Sequence, residues 1–176
     1  MVRFQRQPPG TAITRTALLA GAGLACVAAW YVGHDEQVAA AIAAGTGAIL
    51  LLVGGHRANH GEGGPVDRML TELLDRVWDA AMLGSLIWVS YDDEPAIAIG
   101  ALVALCASFL SSYVRARGAA LGYSVEESHV ARGIRYAVVV AGISLGWVAA
   151  GVWAAAALSV LAATVRTGQV AREDRA

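Results

Sequence analysis

Lysine is absent from this chain of 176 residues; all 13 basic residues are arginine. Charge of either sign is scarce, at 15% of residues, where a soluble domain carries roughly 25%. With 57% hydrophobic residues and a mean hydropathy of +0.55, that scarcity excludes an ordinary soluble domain. It excludes disorder as well, which needs low hydrophobicity and high net charge. The formal net charge of −1 excludes nucleic-acid binding driven by overall basicity. There are only two cysteines, Cys26 and Cys106. Each lies in an apolar run with no CxxC or metal-ligand spacing, so both read as small core or lipid-facing residues. No acidic residue occurs between Glu36 and Glu62, and there is no internal repeat. Without a lysine, Gly54-Gly55 and Gly61-Glu62-Gly63-Gly64 lack the Walker pattern and read as turn glycines. A lysine-free chain rich in Ala, Gly and Val also suggests a GC-rich bacterial genome.

What the chain does have is long apolar runs. They extend over Thr16–Val32, Val38–Val53, Met69–Tyr91 (charged in its first half and apolar in its second), Ala96–Val114 and Tyr136–Val165. The last would be about 45 Å long as one helix, against a hydrocarbon core of about 30 Å. It reads as two spans with a reversal near Gly146–Gly151. Arginine placement supports that division. With six spans and both termini on one side, every arginine from Arg3 to Arg175 falls on one face. The opposite loops hold Asp35, Glu36, Asp92, Asp93 and Glu94 and no arginine. Such a bias sets the arginine side in the cytoplasm. The first run is long and has no clean small-x-small cleavage site before His34, so it reads as a span rather than a signal peptide. The expectation is an all-α membrane protein with six transmembrane helices in the bacterial cytoplasmic (inner) membrane. Residues 1–15 form a cytoplasmic segment, 16–170 the membrane domain and 171–176 a cytoplasmic tail. The polar stretch from Arg166 on shows no evident chemistry.

Two charge clusters lie at the cytoplasmic end. Glu72, Asp75 and Asp79 are spaced i, i+3, i+7 and share a helical face. A charge well inside hydrocarbon costs roughly 2.5–3.5 kcal/mol on insertion scales unless it meets a partner or a polar cavity. Three on one face predict a cavity open to the cytoplasm. The alternative pairs Glu72 with Arg68 or Arg76 on a half-helix that projects from the membrane. The second cluster is Arg115, Arg117, Arg132 and Arg135, whose planar forks suit phosphate or serve as headgroup anchors.

These clusters carry a family resemblance. Asp75-Arg76-Val77-Trp78-Asp79-Ala80 resembles the second half of the signature of the CDP-alcohol phosphatidyltransferases. Ser112-Tyr113-Val114-Arg115-Ala116-Arg117 resembles the Ser-Tyr-x-Lys-Ala-Arg segment of the phosphatidylinositol-phosphate synthases in that family. Arg132-Gly133-Ile134-Arg135 stands where those enzymes have Arg-Pro-Glu-Arg. The resemblance spans about residues 50 to 170 and implies a six-helix bundle, dimerisation and transfer of a phosphatidyl group from a CDP-linked lipid to an alcohol. It gives Asp75 the place of the catalytic base and last metal ligand. It gives Ser112, Arg115, Arg117, Arg132, Arg135 and Asp79 to substrate binding.

The family signature has four aspartates that hold divalent metal at the pyrophosphate. Aligned here, Leu51, Gly54 and Thr71 stand at the first three, and only Asp75 remains. No metal ligand set is therefore expected, and no cofactor, with Mg²⁺ or Mn²⁺ entering only if the enzyme is active. The reading is a phospholipid-biosynthesis homologue that is catalytically impaired. It binds a phosphate or lipid headgroup, or partners an active synthase as a homodimer or as a heterodimer with an active paralogue. One alternative is an active transferase built on Asp75, Asp79 and nearby carboxylates such as Glu62, Asp67 and Glu72. Another is a small transporter or scaffold, disfavoured because transporters place charges near the midplane or break their spans. The topology is testable by cysteine-accessibility labelling. Single cysteines at positions 92 and 171 are expected to label from opposite sides of the membrane; labelling from the same side would overturn the six-span reading.

Overall fold

The computed structural model describes residues 10–60, 63–124 and 129–173. Glu62, Arg3, Arg6 and Arg175, all used above, lie outside the described residues. Six helices follow one another: α1 Thr11–Val32, α2 Gln37–Asn59, α3 Pro65–Ser90, α4 Pro95–Ala120, α5 His129–Ser144 and α6 Val148–Glu173. No strand occurs among the described residues. Pro65 and Pro95 open α3 and α4 at the first helical position, where a missing N–H costs nothing. The long C-terminal run is two helices, α5 and α6, which reverse through Leu145-Gly146-Trp147 with Gly146 at φ +70°. That positive φ is readily available to glycine.

Helix ends and apolar runs do not coincide. The first helix begins at Thr11, ahead of position 16, and α6 continues through Glu173, past position 170. Backbone hydrogen bonds carry a helix beyond the stretch that lipid requires to be apolar. Four helices, α1, α2, α4 and α6, are long and apolar enough to cross a membrane. Helix α3 carries its charges in its first half, and α5 has only 16 residues with two arginines.

Neighbours in the bundle are α1 with α2 and α3, α4 with α3 and α6, α5 with α2 and α6, and α2 with α3. The interfaces rest on small residues, as bilayer helices require when no hydrophobic gain separates lipid from protein. Gly21 and Gly47 bring α1 and α2 together: a Cβ at Gly21 would lie 2.7 Å from the Gly47 carbonyl oxygen. Gly142 and Gly151 do the same for α5 and α6, where a Cβ at Gly151 would lie 2.7 Å from Val138 O and 2.9 Å from Gly142 Cα. Large side chains fill the centre. Trp78 and Tyr136 are fully buried with ring centroids 4.1 Å apart, above Met82 and Val139. Cys26 and Cys106 are free thiols on the outer surface of the bundle, as expected of lipid-facing residues.

The notable gap is between α3 and α5. No Cα pair of these helices comes within 8 Å among the described residues, so side chains alone bridge them. Substituting Gly151 by Ala is expected to lower stability by about 1–3 kcal/mol through overpacking against α5. Gly23→Ala, where nothing lies within 4 Å of the new Cβ, should be neutral or mildly stabilising. Thermal unfolding in detergent distinguishes the two; equal effects would show that the α5–α6 contact is looser than its geometry.

Candidate phosphate-binding site

The bridging side chains are the charged ones. Asp75 and Asp79 lie one helical turn apart on α3, each 1% exposed, flanking the buried Trp78. From α5, one turn apart in the same sense, come Arg132 and Arg135, with Tyr136 beside them. Arg132 Nε lies 2.7 Å from Asp75 Oδ2. The Tyr136 hydroxyl donates to Asp75 Oδ1 at 2.7 Å. Arg135 Nη2 lies 3.0 Å from Asp79 Oδ2. That same oxygen receives Arg76 Nη1 at 2.9 Å and the Ser108 hydroxyl of α4, and Arg76 donates to Ser108. Higher on the face, half-exposed Glu72 pairs with Arg115 of α4, rather than with Arg68 or Arg76.

These groups surround one polar cavity between α3, α4, α5 and α6. Asp75, Ser112, Arg115, Arg132 and Arg135 all line it, so the structure brings most of the sequence-predicted set together. Asp79 forms its floor with Ser108. Arg117 is exposed and lines a separate hollow with Tyr113, Tyr123 and Val170. Asp67 is also apart: fully buried at the start of α3, it pairs with Arg15 of α1 at 2.6 Å and accepts the Gly64 N–H at 2.6 Å.

Three members were missed by sequence reasoning. Arg76 faces inward although its neighbours in sequence suggested only a counterion for Glu72. Tyr136 was read as the first residue of an apolar run. Arg166, counted only for topology, reaches from α6 into the cavity and donates to Ser111 O and Oγ at 3.2 and 2.8 Å. Its signal was its depth: it ends an apolar stretch at the level of Arg115. Arg166 makes no ion pair with a carboxylate among the described residues, whereas Arg76, Arg115, Arg132 and Arg135 each do. Five guanidiniums thus meet three carboxylates, Glu72, Asp75 and Asp79, which leaves a surplus of two positive charges. Forked donors with that surplus match a phosphate dianion.

Leu51, Gly54 and Thr71, which the resemblance aligns with the family's other aspartates, do not fit a metal. Leu51 is fully buried with its Cγ 2.9 Å from where a Cβ at Gly21 would lie, and a Cβ at Gly54 would meet Leu18 of α1 at 2.8 Å. Thr71 donates its hydroxyl to the Asp67 carbonyl of its own helix at 2.9 Å. Both oxygens of Asp75 are already engaged. Among the described residues no group of three or more His, Cys, Asp or Glu side chains could hold a metal ion.

No family profile matches the chain. It is 30% identical over 149 residues to the phosphatidylinositol phosphate synthase of Corynebacterium glutamicum. That match covers 82% of this chain and 66% of the relative, so the chain spans just under two thirds of the relative's length. Crystal structures of the Mycobacterium tuberculosis phosphatidylinositol phosphate synthase share its fold. The apo and CDP-DAG-bound forms give TM-scores of 0.73 and identities of 21% and 22%, covering 92% of this chain and 88% and 86% of theirs. The complex of that protein with manganese and citrate gives 0.74 at 21% identity, covering 92% and 82%.

The ion pairs across the α3–α5 gap give a direct test. Arg135→Met is expected to destabilise the protein by about 3 kcal/mol, since it leaves a buried carboxylate short of a partner. Adding Asp79→Asn should return much of that loss, and a double-mutant cycle on thermal unfolding reads the coupling. Additive losses would mean that the two groups do not interact.

Proposed function

This chain is a relative, in sequence and in fold, of the CDP-alcohol phosphatidyltransferase family through its phosphatidylinositol phosphate synthases, and we propose that it binds a phosphate ester at the cytoplasmic end of the bundle without transferring a phosphatidyl group. The observation that carries this reading is the charge arithmetic of the cavity. Five arginines and two carboxylates, Glu72 and Asp75, line it with the hydroxyls of Ser108, Ser111 and Ser112, and Asp79 is bonded to Ser108, Arg76 and Arg135 behind them. A phosphate dianion brings the charge that the cavity is short of. Arg115 of α4, Arg132 and Arg135 of α5 and Arg166 of α6 all line it, and each presents planar N–H forks. Ser112 offers a hydroxyl donor, and Asp79 holds Arg76 and Arg135 in place from below. Arg117, in its separate hollow, contacts lipid headgroups.

We infer impairment first from the pairing of Asp75. A general base must reach the hydroxyl that it deprotonates. Here Arg132 and Tyr136 each engage one carboxylate oxygen and compete with such a hydroxyl for Asp75. With Leu51, Gly54 and Thr71 in place of carboxylates, neither Mg²⁺ nor Mn²⁺ is held to offset charge on a leaving pyrophosphate.

The topology in this reading is six spans within residues 16–170, with both ends in the cytoplasm of a bacterial inner membrane. Helix α3 is less apolar than the other spans because of its charges, and α5 is both shorter, at 16 residues, and carries two arginines. Asp75, Asp79, Arg132 and Arg135 neutralise one another inside the bundle, which removes most of the cost of placing them there. Dimerisation, with a second copy or with an active paralogue, is the corresponding assembly.

Binding of inorganic phosphate and of a sugar phosphate to the detergent-purified protein, followed by calorimetry, tests the reading. Arg115→Lys or Arg135→Lys should each weaken binding at least tenfold, about 1.4 kcal/mol, because an ammonium cannot reproduce the fork. Unchanged binding in both variants would reduce the arginines to headgroup anchors. Phosphatidyl transfer from CDP-diacylglycerol to inositol phosphate by the purified protein with Mn²⁺ would overturn the impairment.

A further inference from the structure

The three missing carboxylates are one half of a change whose other half is the position of Arg132. Its side chain, 9% exposed, crosses from α5 to α3 and places Nε 2.7 Å from Asp75 Oδ2. Its Nη1 lies 3.4 Å from the point where a Cβ on Gly55 of α2 would stand. That same point is 2.8 Å from Thr71 Cγ2 of α3. The guanidinium therefore sits in the crevice between α2 and α3, beside the one retained signature aspartate and a turn from Thr71. Glycine at position 55 leaves the room for it, since any side chain there would press on Thr71 and crowd the fork. Leu51 and Gly54 do not compete for the crevice, because both are packed against α1.

The geometry points to Arg132 as the built-in cation of this site, standing where the family resemblance puts divalent metal. Charge balance explains the exchange. Each of the two buried aspartates is already neutralised by a guanidinium, Asp75 by Arg132 and Asp79 by Arg135. A hard cation brought to Asp75 would find two paired carboxylates where it wants six or more oxygens, with a positive fork already beside it. The consequence for ligands is that the pocket is permanently charged. It binds phosphate in the presence of a chelator, and Arg132, tethered by Asp75 and covered by the bundle, is a fixed part of the anion's surroundings. This second statement rests on the phosphate-binding reading above; the first does not.

The test separates the two. Mn²⁺ binding is followed by electron paramagnetic resonance on the purified full chain, and inorganic phosphate binding by calorimetry with and without EDTA. The unaltered protein is expected to leave the free Mn²⁺ signal unchanged and to bind phosphate equally with and without EDTA. Thr71→Asp adds a carboxylate to the crevice. With Arg132 kept, this variant should bind Mn²⁺ at least tenfold more weakly than with Arg132→Gln added. The same comparison is read a second way, as a Mn²⁺-dependent rise in unfolding temperature. Equal Mn²⁺ binding with and without Arg132, or Mn²⁺ binding by the unaltered protein, would overturn the assignment. Phosphate binding that EDTA abolishes would overturn it too. An unaltered protein that binds no phosphate, while Arg132 still opposes Mn²⁺, would overturn the ligand reading and support the built-in cation.

Discussion

Everything at the charged end of this bundle depends on neutralising two buried carboxylates. Asp75 and Asp79 are placed by the helical period on the inner face of α3, where an isolated charge is untenable. The compensating charges come from a helix that α3 does not touch through its backbone. Arginine is suited to this role by its reach and its fixed fork. Arg132 and Arg135 span the gap, and the Trp78–Tyr136 contact packs the space just below them. The separation between α3 and α5 is thus both the reason for the cavity and the reason that ion pairs, rather than interdigitated apolar side chains, join the helices.

The remaining architecture supports that gap. Close approach of α1 to α2 at Gly21 and Gly47, and of α5 to α6 at Gly142 and Gly151, makes two tight helix pairs. Helix α4 closes the far wall and delivers Ser108, Ser111, Ser112 and Arg115 from a single face, while α6 adds Arg166 at the mouth. A network with five cations and three anions is not a stability device in the usual sense, because a surplus of like charge is costly where water is scarce. In the phosphate-binding proposal, the missing counterions belong to the ligand.

The same packing accounts for the uncharged residues at positions 51 and 54. With Leu51 and Gly54 drawn into the α1–α2 interface, α2 offers the crevice only Gly55. A carboxylate at position 54 would have to displace Leu18, so the glycine there and the tight α1 contact are mutually consistent features of one interface. Relatedness to the phosphatidylinositol phosphate synthases accounts for the scaffold; the side chains that line it are this chain's own.

The sequence by itself determined the helical class, the division of the last apolar run near Gly146–Gly151 and the acidic face of α3, because hydropathy and the 3.6-residue period act locally; the exposed position of both cysteines came from the structure. It also marked Ser112, Arg115, Arg132 and Arg135 as a group through their spacing. Tertiary structure alone decided which arginine meets which carboxylate. It sent Glu72 to Arg115 rather than to its helix neighbours, set Arg117 and Asp67 apart from the cavity, and drew in Arg166 and Tyr136. Those outcomes turn on the distances between helices remote in sequence. Those distances are set by where glycines allow two backbones to touch and where long side chains must reach across instead.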